Sequence, residues 1–303
     1  MNEKSALEIF GKYVPVKADS VERCGVGHGN YVYIISGGAK RYVVRCSSED
    51  NAYTETIYWL RRLRKVNIPV PEIIGDGRYQ DFSYIILSYL EGRDLGLVYP
   101  ALSREEKQGI AREVVRIQKL AASIELGDIK DRWNWKDSFV QYMLDRARER
   151  IEKNDYFDVD KIDRLWQMGE TLEDYFLQIK PIAYLDDIST KNLLIDQGRV
   201  SGIIDVDWIG IGDRLTFVAM SNVALLNKGY DTDYINYLME ELDVSQVERK
   251  ALVFYSLLYC VDFMGERGMQ FGDKVVDVNE TVVRRLNQIY DDLIIEWYKK
   301  SGG

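Results

Sequence analysis

Histidine is almost missing from this chain: His28 is the one such residue in 303. A Ser-His-Asp mechanism would have to use it, and a position between Gly27 and Gly29 in a strand link does not suit that role. Cysteine is scarce as well. Cys24, Cys46 and Cys260 are odd in number, scattered and without metal-ligand spacing, which argues against a disulfide framework or a zinc site and for a reducing cytoplasm. Long apolar runs are lacking: the longest, Val253 to Val261, is too short to span a bilayer, and the first residues have no apolar signal-peptide core. The expectation is a soluble, intracellular protein that does not engage a membrane. There is no basic excess, since 40 Lys and Arg face 49 Asp and Glu for a net charge of -9. That balance argues against nucleic acid as a partner and favours cationic or neutral small molecules. No G-x-x-x-x-G-K-[ST], H-E-x-x-H or G-x-S-x-G motif occurs, so P-loop, zincin and α/β-hydrolase chemistries lack their residues. Neither an internal repeat nor a low-complexity tract appears, which argues against a solenoid.

What is present divides into two halves. A 46% hydrophobic fraction is enough to fill a core. The first half reads as strands at Val21 to Cys24, Tyr31 to Ile35 and Tyr42 to Cys46, with a turn at Ser36-Gly37-Gly38. A helix is expected over Asp50 to Val66, where Tyr53, Ile57, Leu60 and Leu63 share a face, Arg and Lys gather at the end, and Pro69 and Pro71 stop it. Two further strands, Ile73-Ile74 and Tyr84 to Leu90, close this part near residue 92. From there the pattern becomes helical. Ser103 and Glu106 form a capping box before Ile110, Val114, Ile117 and Ala121, and further helices are expected over Trp133 to Ile151, Lys161 to Ile179 and most of Phe217 to Tyr298. The expected architecture is α+β and bilobal: residues 1–92 strand-rich, residues 93–303 helical, with a cleft between them.

The exception within the helical half is YLDDISTKNLLIDQGRVSGIIDVDW, Tyr184 to Trp208. Two short apolar runs around Asp196-Gln197-Gly198-Arg199 read as a hairpin that brings Asp205 back beside Asn192. An amide oxygen and a carboxylate converging there suit Mg²⁺, a hard cation that keeps waters and substrate phosphates. Asp187, five residues before Asn192, stands one loop away to accept a hydroxyl proton. That is the equipment of phosphoryl transfer.

At these residues the chain resembles the aminoglycoside phosphotransferase family, small-molecule kinases of the protein-kinase-like fold. The family's H-G-D-x-x-x-x-N loop corresponds to LDDISTKN, and its I-D-F or I-D-W segment to IIDVDW. Looser matches, such as IPVPEII and YIILSYLEG, follow in the right order over roughly residues 12 to 225. The resemblance implies Asp187 as catalytic base, Asn192 and Asp205 as Mg²⁺ ligands, and ATP or GTP as phosphate donor to a small-molecule acceptor. It implies Val43 over the base, Arg45 on the phosphates, Glu55 as the partner of Arg45, and backbone groups of Ser88 and Leu90 for adenine. The chain departs from the family at Leu185, where the motif has His, at Arg45, where it has Lys, and in LTFVAM, which lacks a second aspartate.

These departures motivate the alternative of a catalytically silent protein that binds nucleotide or a metabolite. A kinase of choline, a sugar, a macrolide or an amino-alcohol is a further alternative. Asp207 is open between a second metal ligand and a solvated charge. His28 is open between covering phosphates and a surface turn, and Trp133, Trp135 and Tyr142 between an acceptor pocket and core.

Overall fold

In a computed structural model, which describes residues 1–27, 30–127, 134–207, 209–271 and 274–301, the chain opens with a helix and not with the expected strand. This α1 (Glu3–Phe10) is capped by the Asn2 side chain, which accepts from Ser5 N–H, and it buries Ala6, Ile9 and Phe10. The strands follow as expected: β1 (Ser20–Gly27), β2 (Asn30–Gly37), β3 (Lys40–Ser47), then helix α2 (Thr54–Lys65), β4 (Ile73–Tyr79) and β5 (Phe82–Ser88). They form one antiparallel sheet in the order β1-β2-β3-β5-β4, with Arg45 opposite Val32 on one side and Ile85 on the other. Because side chains alternate across a strand, Tyr33, Ile35, Val44, Cys46 and Ile86 bury one face against α1. Val43 and Arg45 are left on the opposite face. His28, Gly29 and Trp133 lie outside the described residues, so the phosphate-covering and acceptor-pocket readings of His28 and Trp133 do too.

After residue 92 the chain adds β6 (Arg93–Asp94), α3 (Leu95–Val98) and α4 (Arg104–Ala121), the last with the capping box of Ser103 and Glu106 intact. A wide helical turn, Lys136–Gln141, leads into α5 (Tyr142–Asn154). The single helix expected over Lys161 to Ile179 is two, α6 (Asp160–Glu170) and α7 (Glu173–Phe176), parted at Thr171 and Leu172. Then come β7 (Ala183–Tyr184), β8 (Leu193–Asp196), β9 (Arg199–Ile203), β10 (Gly210–Ile211), α8 (Leu215–Lys228), α9 (Asp233–Glu241) and α10 (Gln246–Gly265). A short hairpin, β11 (Gln270–Phe271) and β12 (Lys274–Val275), precedes α11 (Glu280–Ser301). The apolar run Val253 to Val261 lies in α10, which touches α5, α6, α8 and α11 and is therefore buried nearly all round. Among the described residues no helix is long and apolar enough to cross a membrane.

The two halves share a core. Trp59, Leu60 and Leu63 of α2 and Leu87 of β5 belong to the same buried cluster as Ile110, Val114 and Ile117 of α4. The chain crosses over at Gly92, whose φ of +128° favours glycine and whose absent Cβ would lie 2.5 Å from Ser201 Oγ. Ser201 in turn donates to the Glu91 carbonyl at 2.6 Å, and Ile203 N–H to the Pro69 carbonyl at 2.8 Å. These contacts fix the hairpin β8–β9 beneath the sheet and put its far end under Arg45.

Candidate active site

The loop between β7 and β8 is held from below. β7 pairs with β10, which anchors Tyr184 opposite Gly210. The next residue, Leu185, is 2% exposed, and the buried Gln118 of α4 grips its backbone twice. Gln118 Nε2 donates to the Leu185 carbonyl at 2.7 Å, and its Oε1 accepts from the Leu185 N–H at 2.9 Å. A hydrophobe in place of the family histidine therefore packs in the core while the backbone is tethered by another residue. Replacing Gln118 with alanine strands both buried backbone groups, and chemical denaturation should show a loss of about 2–4 kcal/mol. A loss under ~0.5 kcal/mol would mean that the clamp is idle.

Asp187, Asn192 and Asp205 do meet. Asn192 Nδ2 donates to the Asp187 carboxylate at 2.9 Å and to its carbonyl at 3.1 Å. The Ile204 N–H donates to the Asn192 carbonyl at 3.0 Å, which seats Asp205 beside Asn192, and Asp94 Oδ1 accepts from the Asn192 N–H at 3.2 Å. Both residues are left-handed, Asn192 with φ 65° and Asp205 with φ 58°. Asn and Asp tolerate that conformation better than other residues with a Cβ, so the ligand types also suit the backbone the turn demands.

Asp205 borders two adjoining cavities. One, of about 390 Å³, is lined by Val43, Arg45, Leu87, Ser88, Leu90, Asn192 and Ile204, so four of the five residues expected at the nucleotide, all but Glu55, share one space. The other, of about 290 Å³, is lined by Leu185, Asp186, Asp187, Ile188, Val206 and Asp207. A larger cavity of about 940 Å³ opens behind β7 and β10 along Tyr175, Asp213 and Glu248, but neither Asp187 nor Asp205 lines it.

Four carboxylates crowd this floor. Water reaches Asp187, yet protein on its other sides and the neighbouring Asp186 and Asp205 push its carboxyl up to about 6, against the pull of Lys191 and Asn192. Burial likewise raises Asp186 to about 6, although it accepts the Asp187 N–H at 3.0 Å. Arg45 is the counter-charge. Burial opposes its charge, but hydrogen bonding to Asp207 and the nearby Asp205 outweigh it and hold the guanidinium above its usual range.

One expected contact is not made. Glu55 is exposed and forms no ion pair with Arg45; the next residue, Thr56, is buried and faces the site in its place. Arg45 is forked onto Asp207, with Nη1 to Oδ1 at 3.0 Å and Nη2 to Oδ2 at 2.8 Å, and Nη1 lies 3.4 Å from Asp205 Oδ1. Thr56 Oγ1 donates to the same Asp207 Oδ1 at 2.8 Å. The family resemblance pointed to Glu55, but helix phase turns Thr56, Trp59, Leu60 and Leu63 inward and Glu55 outward.

Elsewhere, Ser88 has spent its N–H on the Glu72 carbonyl at 2.8 Å. Trp135 is core: it stacks on Phe139 and its Nε1 donates to Tyr255 Oη at 2.8 Å. Tyr142 is exposed on α5. Asp213, in the GIGDR segment, is buried and accepts from Tyr175 and Tyr255 hydroxyls at 2.6 and 3.0 Å and from the Leu215 N–H at 2.9 Å. That satisfied network supports β10 without the second aspartate that LTFVAM lacks.

The donor set fits a divalent cation. Asn192 commits its amide nitrogen to Asp187, which leaves the amide oxygen, and the Asp205 carboxylate is exposed to the cleft. Among the described residues no group of three or more His, Cys, Asp or Glu could hold an ion unaided. Mg²⁺ does not need one, because it takes one or two protein oxygens and completes its shell with water and phosphate.

Residues 20–225 match the profile of the phosphotransferase enzyme family. An aminoglycoside 3'-phosphotransferase from Streptomyces fradiae is 20% identical over 253 residues, 76% of this chain and 90% of the relative. Among solved structures, the aminoglycoside phosphotransferase APH(2'')-Ib with ADP bound superposes with a TM-score of 0.64 at 18% identity, covering 96% of this chain and 97% of that one. A thermostable mutant of the aminoglycoside phosphotransferase APH(4)-Ia, in ternary complex with ADP and hygromycin B, gives 0.65 at 18% identity and 99% of both chains. These likenesses show the same bilobal, kinase-like fold.

Proposed function

We propose, because the chain belongs to the phosphotransferase enzyme family, that it transfers the γ-phosphoryl group of ATP or GTP to a hydroxyl of a small cationic, aminoglycoside-like acceptor. The observation that carries this reading is the convergence of Asp187, Asn192 and Asp205, the last two lining one cavity with Val43, Arg45, Ser88 and Leu90. The nucleotides and antibiotics in the related structures support the choice of substrates. So do the four carboxylates around the floor of the cleft, which favour a cationic acceptor.

In this mechanism the adenine lies against Val43 and meets the Ser88 carbonyl and the Leu90 backbone of the 1–92 lobe. Arg45 steadies the phosphates. Asn192 and Asp205 would hold Mg²⁺, which neutralises charge on the transferring group. Asp187 orients the acceptor hydroxyl and takes its proton, and Asn192 fixes the Asp187 carboxylate by its hydrogen bond.

A pH dependence follows. A base must be deprotonated to accept a proton, and the Asp187 carboxyl is raised to about 6, so it is ionised above that pH and protonated below it. In the metal-free protein, an NMR titration of the Asp187 carboxyl should show a midpoint near 6, well above that of a free aspartate. A midpoint near 4 would remove the crowding argument.

One observation favours a nucleotide-binding protein without turnover: Arg45 lies 3.4 Å from Asp205 and so competes with the cation. Incubation with ATP or GTP, Mg²⁺ and a panel of aminoglycosides and other alcohols, with products identified by mass, separates the two. Any Mg²⁺-dependent phosphorylated product excludes the silent protein. Nucleotide-dependent thermal stabilisation with no product across the panel favours the silent protein.

A further inference from the structure

We infer that Asp207, and not Glu55, is the positioning residue that holds Arg45 for the nucleotide phosphates, in a fork that the Thr56 hydroxyl ties to helix α2. The inference rests on the kinase reading above and concerns how this chain achieves it.

Three segments meet at one carboxylate. Arg45 comes from β3, Thr56 from the first turn of α2, and Asp207 from the segment after β9, 162 residues beyond Arg45. The Arg45 side chain is 13% exposed, so its orientation is set by protein groups and not by solvent. Asp207 satisfies it with two nearly parallel N–H···O bonds, the arrangement that makes Arg–carboxylate pairs strong and directional. Its Oδ1 accepts Thr56 as well. Tyr53, buried at the start of the same helix, places its ring 5.5 Å from the guanidinium.

The residue types explain one another. A lysine in this strand would offer a compact point charge, whereas Arg45 presents a planar fork that needs a carboxylate facing it squarely. Asp207 can do so because Val206 is buried between it and Asp205, which leaves both carboxylates within reach of Arg45. The carboxylate that positions Arg45 and the one proposed to hold the cation therefore sit two residues apart on one segment. The strand, the helix and the metal-bearing segment are thereby coupled without help from Glu55.

The test titrates Mg²⁺ with non-hydrolysable ATP and GTP analogues by calorimetry, alongside nucleotide and acceptor KM values, and reads the variants with whichever analogue the unaltered protein binds. The variants are D207N, T56V and E55Q, with apo thermal melts to confirm folding. D207N keeps the shape but breaks the fork, and should weaken analogue binding by about tenfold or more while leaving the acceptor KM unchanged. T56V should weaken it by roughly two- to fivefold, and E55Q by less than about twofold. Conserved affinity in D207N, or an E55Q loss as large as that of D207N, overturns the inference. If D207N fails to fold, T56V decides alone, and unchanged affinity in T56V overturns it. An unaltered protein that binds neither analogue overturns the kinase reading and this inference together. Binding that survives D207N sinks the inference alone.

Discussion

Asp187→Asn should lower kcat by about 10²- to 10⁴-fold, the usual worth of general-base assistance, and leave nucleotide affinity unchanged. The substitution removes the proton acceptor and little else. Asp187 is exposed in the cleft, so no buried packing is lost, and its backbone carbonyl still accepts from Asn192 at 3.1 Å. Nucleotide contacts are assigned to the neighbouring cavity, lined by Val43, Arg45, Ser88 and Leu90 but not by Asp187. Single-turnover rates and a parallel nucleotide titration check both halves of the expectation. Turnover within a few-fold of the unaltered protein would strip Asp187 of its role.

Asp205→Asn should abolish the Mg²⁺ response. Lewis-acid neutralisation of phosphate charge is worth several kcal/mol, so turnover should fall by about 10²-fold or more at any Mg²⁺ concentration. Asparagine is the right replacement because Asp205 has φ 58°, a conformation that Asn adopts readily and that would strain alanine. The variant then tests charge and not backbone geometry. It also removes the 3.4 Å contact with Arg45, while the Asp207 fork keeps Arg45 in place, so apo folding should survive. Rates measured against Mg²⁺ concentration decide the matter. A half-maximal concentration and plateau like those of the unaltered protein would mean that the cation is held elsewhere.

Much of the fold was legible because its signals are local. Alternation along Tyr31 to Ile35 and Tyr42 to Cys46, the box at Ser103 and Glu106, and the turn at Gln197 and Gly198 each depend on a few neighbouring residues. Asp187, Asn192 and Asp205 were legible together because a short hairpin converts sequence spacing into proximity. Helix α1 was overlooked because eight residues with a mixed pattern carry little periodicity, and its stability comes from Ile9 and Phe10 packing under the sheet. Gln118 left a trace, a polar residue in the buried stripe of α4, but nothing nearby named the backbone it grips.

By itself the sequence determined a two-part α+β chain with Asp187, Asn192 and Asp205 gathered around one hairpin, since those features follow from periodicity, turn chemistry and short spacing. Only the tertiary structure decided that Arg45 takes Asp207 and not Glu55. The family resemblance named Glu55, but helix phase turned it to solvent. The crossover at Gly92 carried a carboxylate from 162 residues away into hydrogen-bonding reach of the guanidinium. A partially buried guanidinium takes whichever carboxylate the packing brings into its plane, and packing between distant segments is not written in local spacing.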